Sequence, residues 1–232
     1  MGSEESARRV RLDRDAVVTA AIQLVDAEGI DALTIRRLAK DLHVTPTALY
    51  WHFTDKQALL DALGNRLWNE AALQIVEASS AETWDDLRAI FEALLTVFRQ
   101  HPAIAALAPF RVIDCDAGLA ITEKVLSLLG AAGYDEAASA DAARLLLNTV
   151  VMLVTSQPGA SVPDEAERSQ MMRAKRAALL TLPRGRYPNV DASAEFLVDC
   201  DEVEPASYYE LGIELLLSGL KSTAEQRAAL PA

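Results

Sequence analysis

The sequence predicts an all-α protein made of a small N-terminal head and a larger helical body. Three observations carry this reading. Apolar residues recur at helical spacing along most of the chain, while strand-like alternation is missing and β-branched clusters are few. Glycine and proline punctuate the periodic stretches, at Gly29, Pro46, Pro102, Gly130, Gly133 and Pro158-Gly159. Charge is divided unequally: residues 1–63 carry 8 basic and 10 acidic groups, whereas residues 64–232 carry 14 and 24. With 51% hydrophobic and 24% charged residues, the 232-residue chain can bury a sizeable core and is not a disordered tail.

A first helix is expected over residues 14–28, with Val17, Ala21, Leu24 and Val25 on one face and Gly29 as its stop. Thr34 can cap a second helix in which Ile35, Leu38, Ala39 and Leu42 repeat as i, i+3, i+4 and i+7. After the short connection His43-Val44, Thr45-Pro46 supplies an N-cap followed by proline at the first helical position of a third helix, over 46–52. Thr54 and Gln57 form a capping-box pattern opening a long helix to about residue 78.

The body continues from Thr83 with Leu87, Phe91, Leu94, Leu95 and Phe98 on one face, until Pro102 ends that helix. A short apolar stretch (104–110) and a helix over 119–129 follow. Residues 137–155 are apolar around almost the whole circumference, so that helix must be covered on more than one side. A polar helix is expected over 163–180, a loop over 182–189 and a last helix over 206–220, where Gly212 and Gly219 offer small faces for close approach.

Several classes of function fall away at this level. Cys115 and Cys200 cannot build a disulfide framework or a Cys-rich zinc site. Three histidines, His43, His52 and His101, leave little for a His-built metal site, and neither metal nor cofactor is expected. No Ser-His-Asp spacing, phosphate-binding glycine loop or metal motif supports an enzyme. The absence of an uninterrupted run of about 18 apolar residues, and of an apolar segment at the start, predicts a cytosolic chain without membrane or secretory elements.

The segment from Thr34 to Phe53 carries the functional signal. Two short helices joined by a tight turn, the second opening with small polar residues, form a unit that fits the major groove. Ala39 is small where the two helices cross, and Ile35, Leu38, Leu49 and Phe53 can share the core beneath the turn. Thr45, Pro46, Thr47 and Ala48 stand at the start of the second helix, where short side chains let it enter a groove. The turn position holds His43 in place of the usual glycine, a residue that tolerates positive φ at some strain. Basic residues gather nearby: Arg8, Arg9, Arg11 and Arg14 before the first helix, and Arg36, Arg37 and Lys40 in the second. The net charge of −12 sits mostly in the body, so a locally basic head can still face a polyanion.

Residues 12–63 resemble the DNA-binding domain of the tetracycline-repressor (TetR) family of transcriptional regulators. LTIRRLAKDL (33–42), LYWHF (49–53) and TDKQALLDAL (54–63) carry the likeness, and YYELGIELLLSGL (208–220) resembles the family's body more weakly. The resemblance implies an all-α homodimer with two DNA-reading heads and a four-helix dimer bundle. It divides the chain into a helix-turn-helix domain with a basic arm (1–63) and a ligand-binding and dimerisation domain (64–232). It further implies operator DNA and a small-molecule effector as partners.

Transferred residue by residue, the likeness assigns Arg36 to base edges or phosphate and Thr34 to the cap beside the backbone. Thr45, Thr47 and Ala48 would face bases, Tyr50, Trp51 and His52 the sugar-phosphate, and Lys56 a phosphate. Pro46 and Ala48 replace the tetracycline repressor's polar base readers, so a different operator is expected. In the body, Trp68, Phe91, Leu95, Phe98, Phe110, Asn148 and Met152 are the candidate effector-lining residues. Leu146, Val150, Gly212, Leu216 and Leu220 are the candidate dimer-interface residues. The family's magnesium-ligating histidines are replaced by Ala72 and by Ala108 or Pro109, so the expected effector is larger and more apolar than a metal-chelated drug.

Other readings compete. Tyr50, Trp51 and Phe53 could be core aromatics, and Arg36 and Lys56 solvated charges. A redox regulator through Cys115 and Cys200 is disfavoured because Asp114, Asp116, Asp199 and Asp201 bracket the thiols and oppose a thiolate. A helical adaptor that binds protein, not DNA, is the remaining alternative; its association would lack the steep salt dependence of DNA binding.

Overall fold

The computed structural model describes residues 13–77, 82–156, 164–183, 185–197 and 206–229, and among them every regular element is helical. In the head, α1 (Arg14–Glu28) begins at Asp13, whose carboxylate accepts from the Ala16 N–H at 2.8 Å. It ends at Gly29, whose φ of 82° opens a short 3-10 turn over Ile30–Ala32. Next come α2 (Ile35–Asp41), α3 (Pro46–Tyr50) and the long α4 (Lys56–Glu77). Val17, Ala21, Leu38, Leu49, Leu59 and Leu63 are buried together, with Ala39 among them at the α2–α3 crossing. Full burial of such a side chain contributes about 1.5–3 kcal/mol.

The body consists of α5 (Thr83–Gln100), the short α6 (Pro102–Ala105), a 3-10 turn over Ala108–Phe110, α7 (Asp116–Ala131) and α8 (Glu136–Thr155). It continues with α9 (Glu165–Leu180), α10 (Pro188–Leu197) and α11 (Ala206–Ala228). The α4, α5, α7 and α8 helices pack on one another, α11 lies on α5 and α8, and α10 pairs with α9. The head is anchored where α1 meets both α4 and α6. Two glycines permit close approach. A Cβ at Gly118 in α7 would stand 2.2 Å from the Val112 carbonyl oxygen, and one at Gly212 in α11 would stand 2.8 Å from Cδ1 of Leu153.

The structure differs from the sequence-based expectations in several places. Asp55 caps α4, accepting from the Ala58 N–H at 2.8 Å, while Gln57 bonds to Asp61 at 3.0 Å; the Thr54–Gln57 box is not formed. A carboxylate one residue later is the stronger acceptor for the helix start. The loop expected over 182–189 closes early, because Pro188 opens α10 at the position where its missing N–H costs nothing. Gly212 closes on Leu153 of its own chain, and Leu146, Val150 and Leu220 are buried within the protomer. Those three therefore hold the chain's own core and do not form an external face; Leu216 is partly buried against the same core.

The α8 helix is also long and apolar enough to cross a membrane, with mean hydropathy 1.4 over an 18-residue stretch and 33% of that stretch buried within the protomer. A search for an unbroken apolar run overlooks it because Asp141 and Arg144 interrupt the stretch.

Candidate nucleic-acid interface and effector cavity

The head presents a compact set of exposed side chains. Thr34 caps α2, its hydroxyl oxygen accepting from the Arg37 N–H at 3.1 Å, and Thr45 caps α3, accepting from the Ala48 N–H at 3.3 Å. Thr45, Pro46 and Thr47 are exposed, and Ala48 and His52 are half-buried. Trp51 is 86% exposed and Tyr50 53%, so neither is a core aromatic; Phe53, at 2%, is. Arg14 lies over the Phe53 ring at 4.7 Å and closes the base of the unit. The turn holds His43 at φ 54°, the left-handed conformation that the missing glycine implied.

The basic cluster in α2 is divided. Arg37 is held by Glu28 at 2.6 Å and by Asp41 at 2.9 Å, and these hydrogen bonds raise its already high pKa. Arg36 is exposed and forms no ion pair among the described residues, so it alone of the two faces outward. Lys56 donates one long bond, 3.4 Å, to the Ile30 carbonyl, which leaves further ammonium protons for another acceptor. Arg8, Arg9 and Arg11 lie outside the described residues.

A cavity of about 380 Å³ lies in the body, within the range of small-molecule sites. Trp68 of α4 and Leu94 of α5 form one wall; Pro109 and Val112 form the next. Ile121, Thr122, Val125 and Leu126 of α7 and Ala140, Ala143, Arg144, Leu146, Leu147 and Asn148 of α8 complete it. Of the seven sequence candidates, Trp68 and Asn148 line this space. Phe91, Leu95 and Phe98 are buried core on other faces of α5, with Phe98 edge-on to Trp68 at 5.8 Å. Phe110 is 74% exposed and Met152 53%, both turned outward. The α7 contribution was missed, although Ile121 and Val125 stand at i, i+4 in the sequence.

Three ion pairs join the head to the body. Arg111, between the wall residues Pro109 and Val112, reaches Asp61 of α4 at 2.7 Å and Asp114 at 3.5 Å. Its Cγ would lie 3.1 Å from a Cβ at Gly64, so α4 and this segment are in close contact. Arg66 of α4 pairs with Asp15 of α1. The Nδ1 of His101 is 2.8 Å from Asp26 of α1, and that bond raises the imidazole pKa above its usual value. Cys115 is half-buried and its sulfur accepts from the Gly118 N–H at 3.4 Å, while Cys200 lies outside the described residues.

Comparison with known proteins agrees with this architecture. Residues 17–63 match the family described as bacterial regulatory proteins, tetR family, and residues 78–224 match the tetracyclin repressor-like C-terminal domain. An HTH-type transcriptional regulator of Saccharopolyspora erythraea is 30% identical, over 95% of this chain and 89% of its own. The class A tetracycline repressor of Escherichia coli transposon 1721 is 31% identical, over 90% of this chain and 91% of its own. Among solved structures, the Streptomyces coelicolor TetR family protein ActR in complex with (S)-DNPA is 26% identical with a TM-score of 0.68, over 92% of this chain and 98% of that one. With both halves of the chain matched and a full-length relative at this identity, the protein belongs to the TetR family of transcriptional regulators.

Proposed function

We propose that this regulator is a repressor that binds a palindromic operator as a dimer and is released by a small apolar or amphipathic effector. The observation that carries the reading is the exposed set at the α2–α3 unit: Arg36, Thr45, Thr47, Tyr50 and Trp51 outward, with Phe53 and Leu49 inward. Short side chains at the start of α3 suit base edges, and the flanking arginine and aromatics suit phosphate and sugar. His52, half-buried behind them, and Thr34 and Lys56 at helix starts complete the contact set.

The dimer is drawn from α8 and α11. Leu145 and Met152 on one helix and Leu211 and Leu215 on the other are large exposed apolar residues at helical spacing. Gly219 lies one turn beyond Leu215 with open space where its side chain would be, which allows a second helix to come close. Two copies of this pair of helices make a four-helix bundle and set the separation of the heads, which must match half-sites about 34–36 Å apart or a multiple of that. This arrangement also covers the outer face of the long apolar α8.

Residues 1–63 act as the DNA-binding unit and 64–232 as the effector and dimer unit, with α4 running unbroken across the junction. An effector between α4, α7 and α8 presses on the Pro109–Val112 wall. From there Arg111 carries the displacement to Asp61, about one and a half turns along α4 from Lys56. Release follows only from a difference in effector affinity between the two head separations. The relative ActR, crystallised with a small molecule, supports this reading.

The test is selection of bound DNA from a random pool by the full chain, followed by a compound screen for release. A palindromic consensus and saturable release are expected. Binding should fall steeply with salt, and Lys56→Ala should reduce the log–log slope by about one. A selection that recovers no consensus, with association insensitive to salt, overturns the reading in favour of a protein-binding adaptor.

A further inference from the structure

We infer that the effector is a largely apolar, acceptor-bearing anion, whose neutral oxygen is bound by the indole N–H of Trp68 and whose acidic end is bound by Arg144. The inference rests on reading the cavity as the effector site, and it assigns the chemistry which that reading leaves open.

The cavity lining is mostly apolar and includes only four residues with polar side-chain groups, Trp68, Thr122, Arg144 and Asn148. Among the described residues that line it, none is acidic. Trp68 is 1% exposed, and its Nε1 is a buried donor with no hydrogen-bond partner. Such a donor is costly to leave unmade, and an indole nitrogen offers nothing but a proton. The edge-on Phe98 ring at 5.8 Å limits how far the indole can turn to find another partner. Thr122 already donates its hydroxyl proton to the Gly118 carbonyl at 2.8 Å, so it offers a ligand only lone pairs. Arg144 and Asn148 line the α8 side and are both exposed, which places them toward the opening.

Arg144 pairs with Asp141 at 2.7 Å, but both side chains are about three-quarters solvated, at 74% and 73% exposed. An ion pair of that kind is weak. A ligand carboxylate bound at the cavity edge, in a lower dielectric, competes for the guanidinium in bidentate fashion. A cation there would meet Arg144 and find no carboxylate on the wall. Trp68 belongs to α4, so an acceptor drawn to its N–H pulls on the helix that leads to the head.

Three probes on one bicyclic skeleton test this by titration calorimetry of the full chain at neutral pH. They are an acetyl-substituted naphthoate, its isopropyl analogue without the far oxygen, and the acetyl compound with an aminomethyl group in place of the carboxylate. The acetyl naphthoate should bind most tightly. Loss of the oxygen should weaken binding about fivefold to tenfold, and replacement of the carboxylate by ammonium at least about tenfold. Trp68→Phe should abolish the first difference and Arg144→Gln the second. Equal affinity for all three would overturn the proposal and leave an effector site that works by apolar burial alone. Binding of none would also overturn it, while operator release in the compound screen would still decide whether an effector site exists. The comparison on the unaltered chain needs no variant, so a poorly folding Trp68→Phe protein does not remove the test.

Discussion

The head and the body use their side chains in opposite ways. In the head, burial serves folding and exposure serves the proposed DNA contact: Leu38, Leu49 and Phe53 hold the unit, while Arg36, Thr47, Tyr50 and Trp51 stand outside it. In the body, the proposed effector surface is internal, and Leu94, Ile121 and Leu146 serve the core and the cavity at once. An exposed tryptophan at the end of a short helix is anomalous unless something covers it, whereas a buried leucine is ordinary whether or not a ligand touches it. Chemical type therefore reports function in the head and hides it in the body.

The sharpest way to break this contrast is at the exposed apolar face that α8 and α11 share. Leu215→Glu places an unpaired charge at the proposed α8–α11 face while leaving the protomer core intact. Dimer affinity should fall by on the order of 100-fold or more. Operator affinity should fall with it. Light scattering that finds an unchanged dimer would move the interface elsewhere. Leu146→Glu should instead unfold the protomer, since that side chain is 2% exposed in the core.

The next effect lies in the head. Arg36→Ala and Tyr50→Ala should each weaken operator binding by about 1–3 kcal/mol, roughly fivefold to 150-fold, with the dimer and melting temperature unchanged. Gel retardation together with light scattering decides the matter. Loss of the dimer in either variant would make these residues structural and erase the contrast.

The same contrast explains what the sequence reading could reach. The bounds of α1 and the start of α3 follow from Asp13, Gly29 and Thr45-Pro46, each of which acts within one turn of itself. The positive φ of His43 was predictable because a two-residue connection forces the turn. Which face of α5 borders empty space was not predictable. Phe91, Leu94, Leu95 and Phe98 are all buried, and only Leu94 meets the cavity. Apolar periodicity reports that a side chain leaves water; it is silent on whether protein atoms or a void receive it. Leu146 and Val150 look like dimer-face residues in the sequence for the same reason: α8 is apolar on both sides, so only the packing separates the inner stripe from the outer one.

A smaller effect should appear at the link between the two regions. Arg111→Met retains the apolar stem but removes the bond to Asp61. Effector binding should survive, while the effector's influence on operator affinity should weaken by about 0.5–2 kcal/mol, roughly twofold to thirtyfold. Measuring operator affinity with and without saturating effector isolates this coupling. An unchanged ratio would mean that the cavity communicates with the head by some path other than this segment.

The smallest effect concerns the second link, His101 to Asp26, and its sign is fixed by the direction of the shift. The hydrogen bond to Asp26 raises the folded-state pKa of His101 above about 6.5, against opposing desolvation, with Glu70 adding to the rise. Folding therefore favours the protonated imidazole. The pair's contribution is complete below the unfolded pKa and declines as pH rises through the folded value. Both side chains are partly solvated, 18% and 30% exposed, so the contribution should be below about 1 kcal/mol. For a chain of this size that corresponds to a fall in Tm of roughly 1–3 °C between pH 6 and pH 8. Asp26→Asn removes the charge that raises the pKa and should flatten that slope, whereas Asp15→Asn, at the neighbouring Arg66 link, should leave it in place because no histidine titrates there. Equal slopes in the native and Asp26→Asn chains would show that the head is held to the body by α1 packing on α4 and α6, with this ion pair adding nothing measurable.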